Sequence, residues 1–156
     1  MGSPTYIPLA TVTLGGSDAD IIFSNIPTSL YRDLIVVFNG SISTSNNSPF
    51  YMNGDTTSGN YAKVSAWGTG SSTGSGAFFG AIWSGSPNTI VYQFLDAGTT
   101  DKHKTALVRC NNAANETSMQ AIRWANTAAI TSLTFVAGSS FTYTTGSTFS
   151  LYGIAG

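Results

Sequence analysis

Charge is what this chain has least of. Across 156 residues there are six Lys and Arg and seven Asp and Glu, where an ordinary domain draws about a quarter of its residues from that group. Ser, Thr, Asn and Gly must therefore cover the surface instead. The charges also stand singly. The longest basic cluster, Lys102-His103-Lys104, is too small to neutralise several phosphates at once, which argues against nucleic acid as a partner. A formal net charge of -1 leaves little self-repulsion, and a weakly charged chain tends to associate.

Cysteine is nearly absent too. The single Cys110 can form neither an intrachain disulfide nor a multi-cysteine metal site, so it reads as a small buried apolar residue on a strand. Glu116 is the sole Glu and His103 the sole His. No His, Cys and carboxylate set has metal-ligand spacing, and no cofactor is expected. The first residues carry no basic segment followed by a long apolar run, and no later stretch approaches a membrane span. Synthesis in the cytoplasm and no membrane insertion are the expectation. Helix signals are also missing, because no window shows an apolar stripe of period 3.6 with caps.

What remains is a strong period of two, the mark of half-buried strands. Leu34, Val36 and Phe38 alternate with Ile35, Val37 and Asn39, so Tyr31 to Asn39 reads as a strand apolar on much of both faces. Ile90 to Leu95 behaves the same way, after the turn Gly85-Ser86-Pro87-Asn88. Further strands are expected at Tyr6 to Leu14, Ala19 to Ser24, Phe50-Tyr51, Ala77 to Trp83, Lys104 to Cys110, Gln120 to Ala125, Ile130 to Val136 and Thr148 to Ile154. Strands this short, separated by turn residues, predict an all-β, antiparallel β-sandwich of about 8–10 strands, jelly-roll-like and in one domain. Residues 9–156 would form the sandwich and residues 1–8 an extended N-terminal arm. Chain length suffices for a core without staples. Strands apolar on both faces predict that one face meets the core and the other a second subunit or another strand layer.

Gly68 to Gly76 is a Gly/Ser/Thr run and reads as a mobile surface loop. Asn111 to Ser118 is polar and could hold one helical turn. Within the first run, Gly70-Ser71-Ser72-Thr73-Gly74 fits the G-x-S-x-G of a nucleophile elbow, but that elbow needs a helix after it and none is expected. His103 lies between two lysines, which favours a solvated imidazole over a triad member. Glycoside hydrolysis needs two carboxyls at a set separation. Here Asp18, Asp20, Asp55, Asp96 and Asp101 stand where turns want them, so no catalytic residue is assigned and the chain reads as non-enzymatic. Trp83 and Trp124, on strands, suit a core or an interface. Trp67, beside the glycine-rich run, could instead stack on a sugar.

Several stretches carry a likeness. Tyr6-Ile-Pro-Leu-Ala-Thr-Val-Thr-Leu14, Ile22-Phe-Ser-Asn-Ile-Pro27, Tyr31-Arg-Asp-Leu34, Met52-Asn-Gly-Asp55 with Asn60-Tyr61, Ile130-Thr-Ser-Leu133 and Gly146 to Ile154 resemble small virion proteins of tailed phages, cyanophages included. The resemblance implies a jelly-roll-like head decoration (cement) protein, assembled as a homotrimer on the major capsid protein, made in the host bacterium and carried in the virion. It also allows the distal, receptor-binding module of a tail fibre, in which Trp67 would contact host-surface glycan. On the first reading Tyr6, Ile7 and Pro8 would form a capsid-contact arm, and Val37 and Val91 would sit at the trimer interface. The absence of a shaft repeat or heptad favours the first.

Overall fold

Alternation of apolar and polar side chains has the expected outcome: every strand pair is antiparallel and the chain is an all-β, jelly-roll-like sandwich. The computed structural model describes residues 5–68, 70–75, 81–82, 84–112, 117–138 and 140–155. Its strands are β1 (Tyr6–Thr13), β2 (Asp20–Phe23), β3 (Asp33–Gly40), β4 (Asn46–Asn47), β5 (Phe50–Met52), β6 (Tyr61–Trp67), β7 (Gly70–Ser75), β8 (Ala81–Ile82), β9 (Asn88–Leu95), β10 (Lys104–Asn112), β11 (Thr117–Trp124), β12 (Leu133–Val136) and β13 (Thr148–Ile154). Helical structure among the described residues is confined to two short 3₁₀ turns, Thr28–Leu30 and Ser58–Asn60.

One layer is an eight-stranded sheet in the order β1-β13-β3-β9-β10-β11-β6-β7. The facing layer is built from a three-stranded sheet, β2-β12-β5, and the small pair β4-β8. In the large sheet β9, β10 and β11 form a simple meander and β6-β7 a hairpin; the other neighbours are joined by chain crossovers, as in Greek-key connections.

The core lies between the layers. Leu34, Val36 and Phe38 of β3 and Ile90, Tyr92 and Phe94 of β9 are buried on the inner face. They meet Phe50, Met52, Leu133 and Phe135 of the small sheet within one apolar cluster. The Phe50 ring stands edge-on to Tyr92 and Phe94 at 5.5 and 5.2 Å, and each such pair contributes about 0.5–1.5 kcal/mol beyond burial. Cys110 is buried and free, on β10. At Gly153 a Cβ would sit 2.5 Å from the Tyr31 ring, a close approach of the kind that glycine inside a strand permits.

Two expectations need correction. Tyr6, Ile7 and Pro8 are not an arm: they begin β1, paired with Ile154, Gly153 and Tyr152 of β13. Pro8 is tolerated there because β1 is an edge strand, and a register shift between Pro8 and Ala10 absorbs its ring. The first four residues lie outside the described ones. Gly70 to Ser75 is not a loop but strand β7, in register with β6 from Ala62↔Ser75 to Trp67↔Gly70. Backbone pairing needs no large side chains, and it offsets the entropy that glycine and serine lose. Of the stretch Asn111 to Ser118, read as room for one helical turn, Asn111-Asn112 end β10 and Thr117-Ser118 begin β11, while residues 113–116 lie outside the described ones. Trp83, Glu116 and Gly76 lie outside the described residues.

Candidate functional site

Register fixes what the outer face of the large sheet displays. One row across it reads Tyr152, Ile35, Gln93, Leu107, Ala121, Val64; the next reads Ser150, Val37, Val91, Arg109, Met119, Ala66. Alternation places these side chains away from the core. At the β3 and β9 end they shield one another: Ile35 is buried, and Val37 and Val91, paired directly, are half-buried. Toward β10, β11 and β6 they do not. Met119 is 58% exposed, Val64 56% and Leu107 39%. They line a shallow groove of about 420 Å³ with Ala66, Gln93, Arg109 and Ala121.

Two exposed cations, Arg109 and Arg123, project from this half of the sheet, and neither forms an ion pair among the described residues. Next to the groove, Trp67, 38% exposed, lines a second depression of about 350 Å³ with Arg109, Thr117, Ser118 and Met119. Gly70 leaves room for the indole, since a Cβ there would lie 3.2 Å from the ring. Strand β6 was not anticipated from sequence. Its inner row Tyr61, Lys63, Ser65, Trp67 mixes polar with aromatic residues, so only the outer row Ala62, Val64, Ala66 signalled a strand.

The polar groups that do converge are structural. Asp55 accepts hydrogen bonds from Trp124 Nε1 at 2.7 Å, Asn60 Nδ2 at 2.7 Å and the Thr57 amide at 2.9 Å. These donors, Trp124 first, hold its carboxyl down at about 2. The Tyr61 hydroxyl donates to the Asp55 carbonyl at 2.9 Å and accepts from the Met52 amide at 3.2 Å; burial pushes this phenol up to about 12. Ser48 donates to the Val136 carbonyl at 2.6 Å, which leaves its oxygen to accept from the Tyr143 hydroxyl at 2.6 Å. Burial holds Tyr143 far above the usual phenol range, consistent with a permanent donor. Lys104 is buried on β10, with its ammonium on the Thr99 carbonyl and its pKa lowered by desolvation.

Asp96 pairs with Lys102 at 3.0 Å, and His103 is exposed in the same loop. Among the described residues no three His, Cys, Asp or Glu side chains are grouped as metal ligands, and no helix is long and apolar enough to cross a membrane. No protein-family model matches the chain, and no curated protein matches it. The feature with the clearest chemical meaning is therefore the exposed apolar half of the large sheet.

Proposed function

We propose that the protein is a non-enzymatic structural protein of a tailed-phage virion: a homotrimeric decoration protein that binds the major capsid protein and stabilises the head. The observation that carries the assembly part is the outer face of β10, β11 and β6, where Met119, Val64 and Leu107 stand exposed side by side. Grouped apolar side chains on an otherwise polar, charge-poor surface mark a contact with another protein. Val37 and Val91 flank this patch and are its half-buried margin rather than its centre. The virion and the capsid partner rest on the sequence resemblance. Strand β1 holds Tyr6, Ile7 and Pro8 at a sheet edge, so a capsid contact there would be made by a strand edge.

A tail receptor-binding module is the second reading, favoured by Trp67 beside Arg109, Thr117 and Ser118: an indole for stacking with hydroxyls and a cation for sugar polar groups. Light scattering of the purified protein is expected to give three copies per particle at micromolar concentration. A stable monomer defeats the assembly reading. Copy number in purified virions then separates the two placements, with hundreds for a head protein and a few to some tens for a tail module, as the symmetries demand. Virions lacking the protein should break on heating; intact virions that fail to adsorb to cells would move the protein to the tail.

A further inference from the structure

In a trimer with threefold symmetry only residues on the axis meet their own copies, and every contact away from it is heterologous. Placed off the axis, the groove over β10, β11 and β6 meets a different patch on the next protomer. Its requirements are readable. That patch should be apolar at its centre and should carry carboxylates, because the face displays Arg109 and Arg123, which form no ion pair among the described residues.

Among the described residues, three other exposed large apolar side chains lie away from the groove and Trp67: Tyr6, Ile22 and Leu30. Leu30 shares its depression with the cation Arg32, and Tyr6 pairs with Ile154, which in turn pairs with Asp33, the carboxylate bound to Arg32 at 3.1 Å. Ile22 differs. It is 60% exposed on the outer face of the small sheet, in one row with Thr134 and Tyr51. Two residues earlier on the same face is Asp20, and Asp18 lies beside it, its carboxylate accepting from the Asp20 amide at 3.3 Å. Both acids are exposed, and neither is in an ion pair among the described residues.

We infer that each protomer seats the Ile22 patch of its neighbour in the β10-β11-β6 groove, with Asp18 and Asp20 facing Arg109 and Arg123. The partner is thus a second copy of this chain, and the inference rests on the homotrimer proposed above. Apolar centre meets apolar centre, and unpaired acids meet unpaired bases. Groove against groove would set Arg109 against Arg109, which like-charge repulsion disfavours.

Charge reversal tests this. Arg109→Glu and Asp20→Lys are each expected to raise the concentration at which the trimer dissociates by about tenfold, and together to return it close to wild type. All three variants should keep the wild-type circular dichroism, both positions being exposed. A second measurement uses Ile22→Cys with Met119→Cys, oxidised and run on a denaturing gel. Covalent species ending at three chains support the contact, whereas Met119→Cys alone cross-linking to itself overturns it. If the wild type is a trimer but single reversals change nothing, or the pair fails to restore, the inference falls and the homotrimer stands. If the wild type is a monomer, both fall.

Discussion

Asp55 shows how much one turn residue can hold. The sequence places it after Asn53-Gly54, where turns favour Asp; the structure adds that its carboxylate ties Trp124 on β11 to Asn60 and Thr57. Replacing it by Ala removes charge-assisted bonds and strands the buried Trp124 N–H, at a cost of about 2–3 kcal/mol. Its folded pKa of about 2 lies below the ordinary carboxyl value of 3.8. Such a carboxylate stabilises the fold above its unfolded pKa and loses that contribution as pH falls toward its folded one. Urea melts of wild type and Asp55→Ala should therefore differ most near neutrality and converge between about pH 4 and pH 2; a constant gap over that window would remove the assignment. Gly98 makes a steric counterpart, because a Cβ there would sit 2.2 Å from the Thr28 carbonyl oxygen. Gly98→Ala is expected to cost about 2 kcal/mol by overpacking, against less than about 0.5 kcal/mol for Gly59→Ala, where nothing lies within 4 Å. Thermal melts of the two variants check it.

At the level of elements, legibility followed side-chain alternation. Strands β3, β9, β10 and β13 were readable because Leu34-Val36-Phe38, Ile90-Tyr92-Phe94, Ala106-Val108-Cys110 and Phe149-Leu151 point to one core. Two-sided burial of Tyr31 to Asn39 was legible as well, from Ile35 and Val37. What could not be read is β7, whose Gly, Ser and Thr side chains are all exposed and which forms only because β6 presents a free edge. The arm failed for a related reason: proline suits a free extended segment, yet it suits an edge strand as well, where one fewer amide donor is needed. The exposed patch could not be located either, since Val64, Leu107 and Met119 are far apart in sequence and only register unites them. These differences have a dynamic consequence. Strand β7 buries no side chain and has β6 as its one sheet neighbour, so its amides should open with little free energy, while those of β3, β9 and β10 should require global unfolding. Native-state hydrogen exchange is expected to show that order, and protection of β7 equal to that of β9 in the monomer would contradict it.

For the whole molecule, the question is which apolar residues serve the fold and which serve assembly, and the two can be separated at single positions. Val37 is half-buried on a central strand, shielded by Val91 and Ser150 in its own row. A charge there disturbs the sheet itself, so Val37→Asp should lower stability by about 1 kcal/mol or more, Asp being poorly suited to strands. Met119 is more than half exposed on β11, and its side chain contributes little to the monomer. Met119→Asp should leave the monomer's melting temperature nearly unchanged yet place an unpaired charge at the centre of the proposed contact. Breaking up a desolvated contact in this way costs about 3 kcal/mol or more, roughly a hundredfold in dissociation constant. Analytical ultracentrifugation of Met119→Asp should show monomers where wild type shows trimers, with unfolding of the isolated chain unaltered. The opposite pattern, a destabilised monomer that still assembles, would make the β10-β11-β6 face part of the fold rather than a surface kept for partners.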